Sequence, residues 1–143
     1  MRVESIIVDV KILVGRSGVM KWSLDSDRPI FSQIIEIIRK DIVSGVLEPG
    51  EKLPSVRALA ADASVNPNTV QRAFSELERM GLVCSQRTNG KFITEDVEMI
   101  EETKRELART LIFSFLKNME QLGFTKDEAL ALTKKAKEEG QDE

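Results

Sequence analysis

The run from Leu53 to Ala73 constrains this chain more than any other, because it specifies two helices and the turn between them. Ser55 is a good N-cap ahead of Val56-Arg57-Ala58-Leu59-Ala60. Asn66 caps the second helix, and Pro67 occupies its first helical position, where a missing N–H costs nothing. On that second helix Val70, Ala73, Phe74 and Leu77 recur at helical spacing and form one apolar face. Asn68, Thr69, Gln71, Arg72 and Ser75 fall on the other face, which is polar and free of acids until Glu76. Such a face suits a groove lined with base edges and phosphates. A polar outer face is also the ordinary solvated side of an amphipathic helix, so the surroundings decide.

A helix over Pro29–Ser44 precedes the pair, with Phe31, Ile34, Ile35, Ile38 and Ile42 as its core stripe and Glu36, Arg39 and Lys40 facing water. Gly45 ends it, and Pro49-Gly50 presets a tight bend. Gly81 closes the second helix of the pair. The runs Leu82–Arg87 and Lys91–Glu95 then flank Thr88-Asn89-Gly90, whose Asn-Gly is a strong hairpin signal. Arg87 and Lys91 bracket the hairpin tip, with no acid between Glu78 and Glu95. Helix, helix, recognition helix and basic-tipped hairpin make a winged helix-turn-helix.

The segment from Pro29 to Thr94 resembles the DNA-binding domain of the GntR family of bacterial transcriptional regulators. The resemblance is carried by Pro29-Ile30-Phe31-Ser32-Gln33-Ile34, by the run Gly45–Arg57, and by Val65-Asn66-Pro67-Asn68-Thr69-Val70. The Asn-Pro-Asn-Thr form, with a short helical tail, is similar to the YtrA-like branch. Matched position by position, the resemblance implies DNA contacts from Arg57 at the start of the first helix of the pair and from Asn68 and Thr69. It also places the family's wing-tip glycine at Gly90. Where many relatives carry arginines, this chain has Pro67 and Gln71, so those base contacts do not carry over. Gln71 suits adenine, and Arg72 suits guanine or a phosphate. With the caps and the wing included, the candidate DNA-binding residues are Ser55, Arg57, Asn66, Asn68, Thr69, Gln71, Arg72, Arg87, Asn89, Gly90 and Lys91.

Composition excludes much else. There is no histidine or tyrosine and a single cysteine, which removes the usual metal clusters and most acid–base constellations. No phosphate-binding glycine loop and no nucleophile with a plausible base occurs, so neither an enzyme nor a metal or cofactor is expected. The net charge of −3 argues mildly against nucleic acid. Its distribution answers this: residues 20–95 hold ten bases and ten acids, and residues 96–143 hold eight and twelve. The winged region is neutral but polarised, with Lys52, Arg57, Arg72, Arg87 and Lys91 toward the proposed face. Cys84, taken to alternate in phase with Leu82, is expected to be a small buried group, with a redox-sensing thiol as the alternative. A lone cysteine fits a reducing cytoplasm.

The tail reads as two helices. Ile100, Leu107, Leu111, Ile112, Phe115, Leu116 and Met119 form an apolar stripe on the first, Leu122-Gly123-Phe124 is a turn, and Thr125-Lys126-Asp127-Glu128 is a capping box for the second. This stripe either folds back on the winged domain or pairs with a second subunit; a wide apolar face on an appended hairpin favours the second, as does the resemblance. Fewer than fifty residues leave little room for an enclosed effector cavity of the usual size; any effector site is expected at the dimer interface or between domains, and no residue identifies it. Residues 1–19 are anomalous: Ser5–Val14 alternates loosely like a strand, too short and too charged for a membrane span. Arg16-Ser17 fits the in-frame translation of a ribosome-binding stretch upstream of Met20, which makes Met20 the expected natural start. The alternative is a strand added to the wing sheet or to a partner.

The expected fold is mainly α with a small β-hairpin: an extension over 1–19, a winged helix-turn-helix over 20–95 and a two-helix dimerisation hairpin over 96–143. The expected function is a dimeric, cytoplasmic regulator of transcription, a repressor binding a pseudo-palindromic double-stranded operator. The resemblance points to a small regulon such as transporter genes. The rival is a winged-helix adaptor that binds protein instead of DNA.

Overall fold

The computed structural model describes residues 8–14, 18–86 and 89–140. Strands β1 (Val8–Val14) and β2 (Gly18–Leu24) pair antiparallel, and β1 runs beside the second helix. Helices α1 (Ile30–Val43), α2 (Val56–Ala63) and α3 (Pro67–Arg79) follow, then the hairpin β3 (Val83–Gln86) and β4 (Gly90–Ile93), and finally α4 (Val97–Gln121) and α5 (Lys126–Gly140). The chain divides into two compact units, residues 1–103 and 104–143. The mainly helical fold with a winged helix-turn-helix is as expected. The first hairpin is an addition: β1 pairs with β2 and does not extend the wing sheet.

The first unit closes on one core. Ile34, Ile35, Ile38 and Ile42 of α1, Leu59, Ala60 and Ala63 of α2, and Val70, Ala73, Phe74 and Leu77 of α3 are all buried in it. Trp22 and Leu24 of β2 join them, a contribution not expected from the sequence. Ile100 is also part of this core, with Met99 packed beside it. The expected tail stripe therefore loses its first member. The first turn of α4 is held by the winged domain, because Met99 sits over Gly81, where a Cβ would come within 2.9 Å of the sulfur.

Gln33 is the core's buried polar side chain on α1, 2 % exposed. Its amide clamps the approach to the helix. Oε1 accepts from the Asp25 N–H at 2.6 Å, and Nε2 donates to the carbonyls of Asp25 at 2.6 Å and Arg28 at 3.0 Å. This ties the end of β2 to the start of α1, which has no side-chain cap of its own.

Three helices end in the same way. The N–H of Leu82 donates to the Leu77 carbonyl and that of Gly81 to Glu78; Val65 and Ser64 repeat this on Ala60 and Ala61, and Phe124 and Gly123 on Met119 and Glu120. This is the Schellman arrangement, in which a left-handed residue lets the chain turn back while satisfying the last carbonyls. In the turn between α2 and α3 the left-handed residue is Ser64, at φ 54°.

In the second unit Thr125 and Glu128 form the expected capping box. Thr125 Oγ1 accepts from the Glu128 N–H at 3.2 Å, and the Glu128 carboxylate accepts from the Thr125 N–H at 3.1 Å. Ala129 is buried, whereas Leu111, Ile112, Phe113, Leu122 and Leu130 are exposed.

Replacing Gln33 with leucine leaves the Asp25 amide and carbonyl without their partner. This is expected to lower stability by about 2 kcal/mol, read as a fall in the urea midpoint with an unchanged slope.

Candidate nucleic-acid interface

The pair α2–turn–α3 is set up by its caps. Ser55 Oγ accepts from the Ala58 N–H at 3.1 Å, and Asn66 Oδ1 accepts from the Asn68 N–H at 2.8 Å. Both oxygens are thus engaged in starting helices, as the sequence predicts. Val70, Ala73, Phe74 and Leu77 are fully buried, so the opposite face of α3 must look outward. Asn68, Gln71, Arg72 and Ser75 are exposed on it, and Thr69 is half-buried at its edge. Arg57 is exposed at the start of α2.

The two flanks of α3 differ. On one, the Arg72 guanidinium lies over the Phe31 ring of α1, 4.2 Å from its centroid. Glu76, one turn on, pairs with Arg79, whose guanidinium hydrogen-bonds to its carboxylate. On the other flank, α3 is strapped to the wing. Lys91 of β4 reaches Glu78 at 3.0 Å and donates to Ser85 Oγ at 2.8 Å, while the Ser85 hydroxyl donates to the Glu78 carboxylate. Ser85 and Lys91 are cross-strand partners, so their side chains leave the hairpin on the same side. The hydrogen bond from Ser85 and, after it, the Lys91 ammonium hold the Glu78 carboxyl below its ordinary range.

The wing is more than a two-stranded hairpin. The Leu53 N–H donates to the Lys91 carbonyl at 2.8 Å and the Ile93 N–H to Glu51 at 2.8 Å, so the segment after the Pro49-Gly50 bend lines the free edge of β4. Gly90, at φ 96°, turns the tip with Lys52 Cε packed 3.3 Å from where a Cβ would be. A cleft of about 350 Å³ opens between the start of α2 and the wing tip, lined by Lys52, Ser55, Asn89, Gly90 and Lys91 among others.

Of the expected DNA-binding residues, Ser55, Asn89, Gly90 and Lys91 line that one cleft, while Asn68, Gln71 and Arg72 share the outer face of α3. Asn68, Gln71, Arg57 and Asn89 are exposed; Arg87 lies outside the described residues. Lys91 is engaged by Glu78 and Ser85, and Arg72 by Phe31. Glu78, Ser85 and Phe31 were not foreseen, because nothing in local periodicity reports a partner on another element. The expectation for Cys84 is corrected: the side chain is exposed. Leu82 is buried by the Schellman turn and precedes the strand, so alternation counts from the buried pair Val83 and Ile93 and turns Cys84 outward.

The chain is similar to known bacterial regulators in sequence and in fold. Residues 31–93 match the model of the bacterial regulatory proteins of the gntR family. The HTH-type transcriptional regulator YhcF of Bacillus subtilis is 45% identical over 111 residues, covering 78% of this chain and 92% of that protein. The HTH-type transcriptional repressor YtrA of the same organism is 44% identical over 73 residues, 51% of this chain and 56% of YtrA. A solved GntR family transcriptional regulator from Listeria monocytogenes superposes with a TM-score of 0.74 at 41% identity, over 78% of this chain and 98% of that one.

The strap predicts a sign for pH dependence. A lowered carboxyl pKa contributes stability that is complete above the unfolded glutamate value of 4.5 and is lost as pH falls through the lower folded value. The Tm gap between the wild type and Glu78→Gln is thus expected to be widest near neutrality and to close in acid. A gap that does not vary with pH would remove the charge from the strap.

Proposed function

The chain belongs to the GntR family of bacterial regulatory proteins and is a DNA-binding transcriptional regulator, and from that premise we propose a homodimeric, cytoplasmic repressor that reads a pseudo-palindromic operator with α3. The observation that carries this reading is the outer face of α3, where Asn68 and Gln71 stand exposed in the first turns of a helix whose other side is wholly buried. On this reading α3 lies in the major groove, Asn68 and Gln71 meet base edges, and Arg57 and Thr69 meet the phosphates beside them. Ser55 and Asn66 contribute by fixing the helix starts, and Asn89 and Gly90 bring the wing tip toward the backbone. The similarity to the repressor YtrA supports negative regulation, and the regulon on this reading is a small one, such as transporter genes.

Dimerisation is assigned to the second unit. Leu111 is 72% and Ile112 56% exposed, and Phe115 with Leu107, Leu116 and Met119 extends the same apolar surface. Phe113, at 71% exposed, widens it beyond the stripe expected from the sequence. An apolar surface this continuous calls for a partner, and a second copy supplies a matching one. Two linked α3 helices then meet half-sites about one helical turn, roughly 34 Å, apart.

Asn68→Ala and Gln71→Ala are each expected to cost roughly 1–3 kcal/mol against the preferred base and to relax the choice at one operator position per half-site. Gel-shift titration against a panel of single-base operator variants measures this. An unchanged ranking of the variants would show that α3 does not read bases.

The interface has its own check. Leu111→Glu together with Phe115→Glu is expected to yield a folded monomer in sedimentation equilibrium. Its operator affinity is expected to fall by about two orders of magnitude or more, because the half-site contacts are no longer linked. A dimer surviving these changes would put the interface elsewhere.

A further inference from the structure

Arg72 is where the geometry goes further than the sequence, which left its target open between guanine and phosphate. By helical spacing its Cα stands at the middle of the outer face of α3, one turn after Asn68. An unguided arginine there would extend straight into the groove. Instead its guanidinium is drawn sideways onto Phe31 of α1, 4.2 Å from the ring centroid. Stacking occupies a face of the guanidinium and leaves its N–H donors, which lie in the plane, pointing outward at its rim. Among the described residues no hydrogen bond or ion pair engages those donors, and the nearby Glu76 carboxylate is paired with Arg79. A charged, planar donor set is thus held in place, open to solvent, with no protein acceptor among the described residues.

Its position decides what it is held for. Leaning toward α1 takes the charge off the centre line of α3, where base edges are met, and away from Gln71 and the wing strap. In a helix-turn-helix the elements beside the recognition helix lie against the groove walls, which are phosphate. We infer that Arg72, stacked on Phe31, is a fixed clasp for a backbone phosphate, with Phe31 as the positioning residue. A planar fork matches a phosphate's oxygens two at a time, and fixing it beforehand reduces the rotamer freedom lost on binding. The inference rests on α3 lying in the groove as proposed above.

The test uses the full-length protein and a duplex site selected by it from random-sequence DNA, with all single-base variants of the half-site. Affinity is measured by fluorescence anisotropy over a range of salt. Arg72→Ala is expected to lower affinity by one common factor on every variant and to reduce the salt slope by about one per subunit. Phe31→Leu retains the charge and hence the slope, and is expected to weaken every variant by roughly two- to fivefold per subunit, the worth of an exposed cation–π contact. Phe31→Tyr is expected to restore wild-type affinity. In an Arg72→Ala background Phe31→Leu is expected to add nothing, because its effect passes through the arginine.

A loss of preference at one operator position in Arg72→Ala would overturn the clasp in favour of guanine readout. An equal effect of Phe31→Leu in both backgrounds would show that the ring acts only through the fold. Should Phe31→Leu not fold, Arg72→Lys probes the same stack, keeping the charge but not the plane; full wild-type affinity would then overturn the proposal. Failure of base reading is seen separately, as an unchanged ranking in Asn68→Ala and Gln71→Ala, and does not move the Arg72 slope.

Discussion

The burial of Val70, Ala73, Phe74 and Leu77 is the constraint on which the rest depends. All four are fully enclosed, so α3 has no freedom to roll about its axis without opening the core, and each lost contact there is costly. Everything exposed on α3 inherits its direction from that fact. Asn68 and Gln71 look outward because their neighbours on the helix cannot. The flanks are then defined by what packs beside them: α1 along one side and the wing along the other.

The two flanks do different work with similar chemistry. Toward the wing, Glu78, Ser85 and Lys91 close a charged hydrogen-bonded strap between α3 and β4. The Leu53–Lys91 and Ile93–Glu51 backbone bonds hold the other edge of the same strand. The hairpin is therefore fastened on both sides, and the wing tip at Gly90 is placed relative to α3 by direct bonds. Toward α1, the Phe31 stack orients a cation but leaves its donors open. One flank fixes geometry, and the other keeps a charge ready.

What was legible in the sequence is what local physics determines. Ser55, Asn66 and Pro67 announce helix starts because a cap bonds to a residue two or three positions on. The apolar face of α3 and the Asn89-Gly90 tip are equally local. The turn between α2 and α3 was legible, but its left-handed residue was not, because Ser64 stands where glycine usually marks that conformation. Cys84 was misplaced because Leu82 looks like a strand residue but is buried by the turn. Lys91, Arg72 and Ile100 were read as free for DNA or for a partner because their engagements, with Glu78, with Phe31 and with the winged core, cross between elements. Periodicity carries no information on those.

The same engagements bear on the neutral charge of the winged region, the one feature that favoured a protein-binding adaptor. Of the bases near the outer face of α3, Arg79 is paired with Glu76 and Lys91 with Glu78. Pairs within reach of solvent are weak individually, and none of these side chains is fully buried, yet each one subtracts a cation from the field a phosphate would meet. Among the described residues Lys52, Arg57 and Arg72 are left as the cations disposed toward a backbone. With so few cations placed for phosphates, non-specific attraction is expected to be modest and to fall less steeply with salt. In the dimer proposed above, affinity then comes from base contacts and from linking two half-sites, for which effective concentration supplies what charge does not. On that account the exposed apolar surface of the second unit and the sparse charge of the first belong to one design: a reader that binds weakly as a single domain and tightly only as a pair.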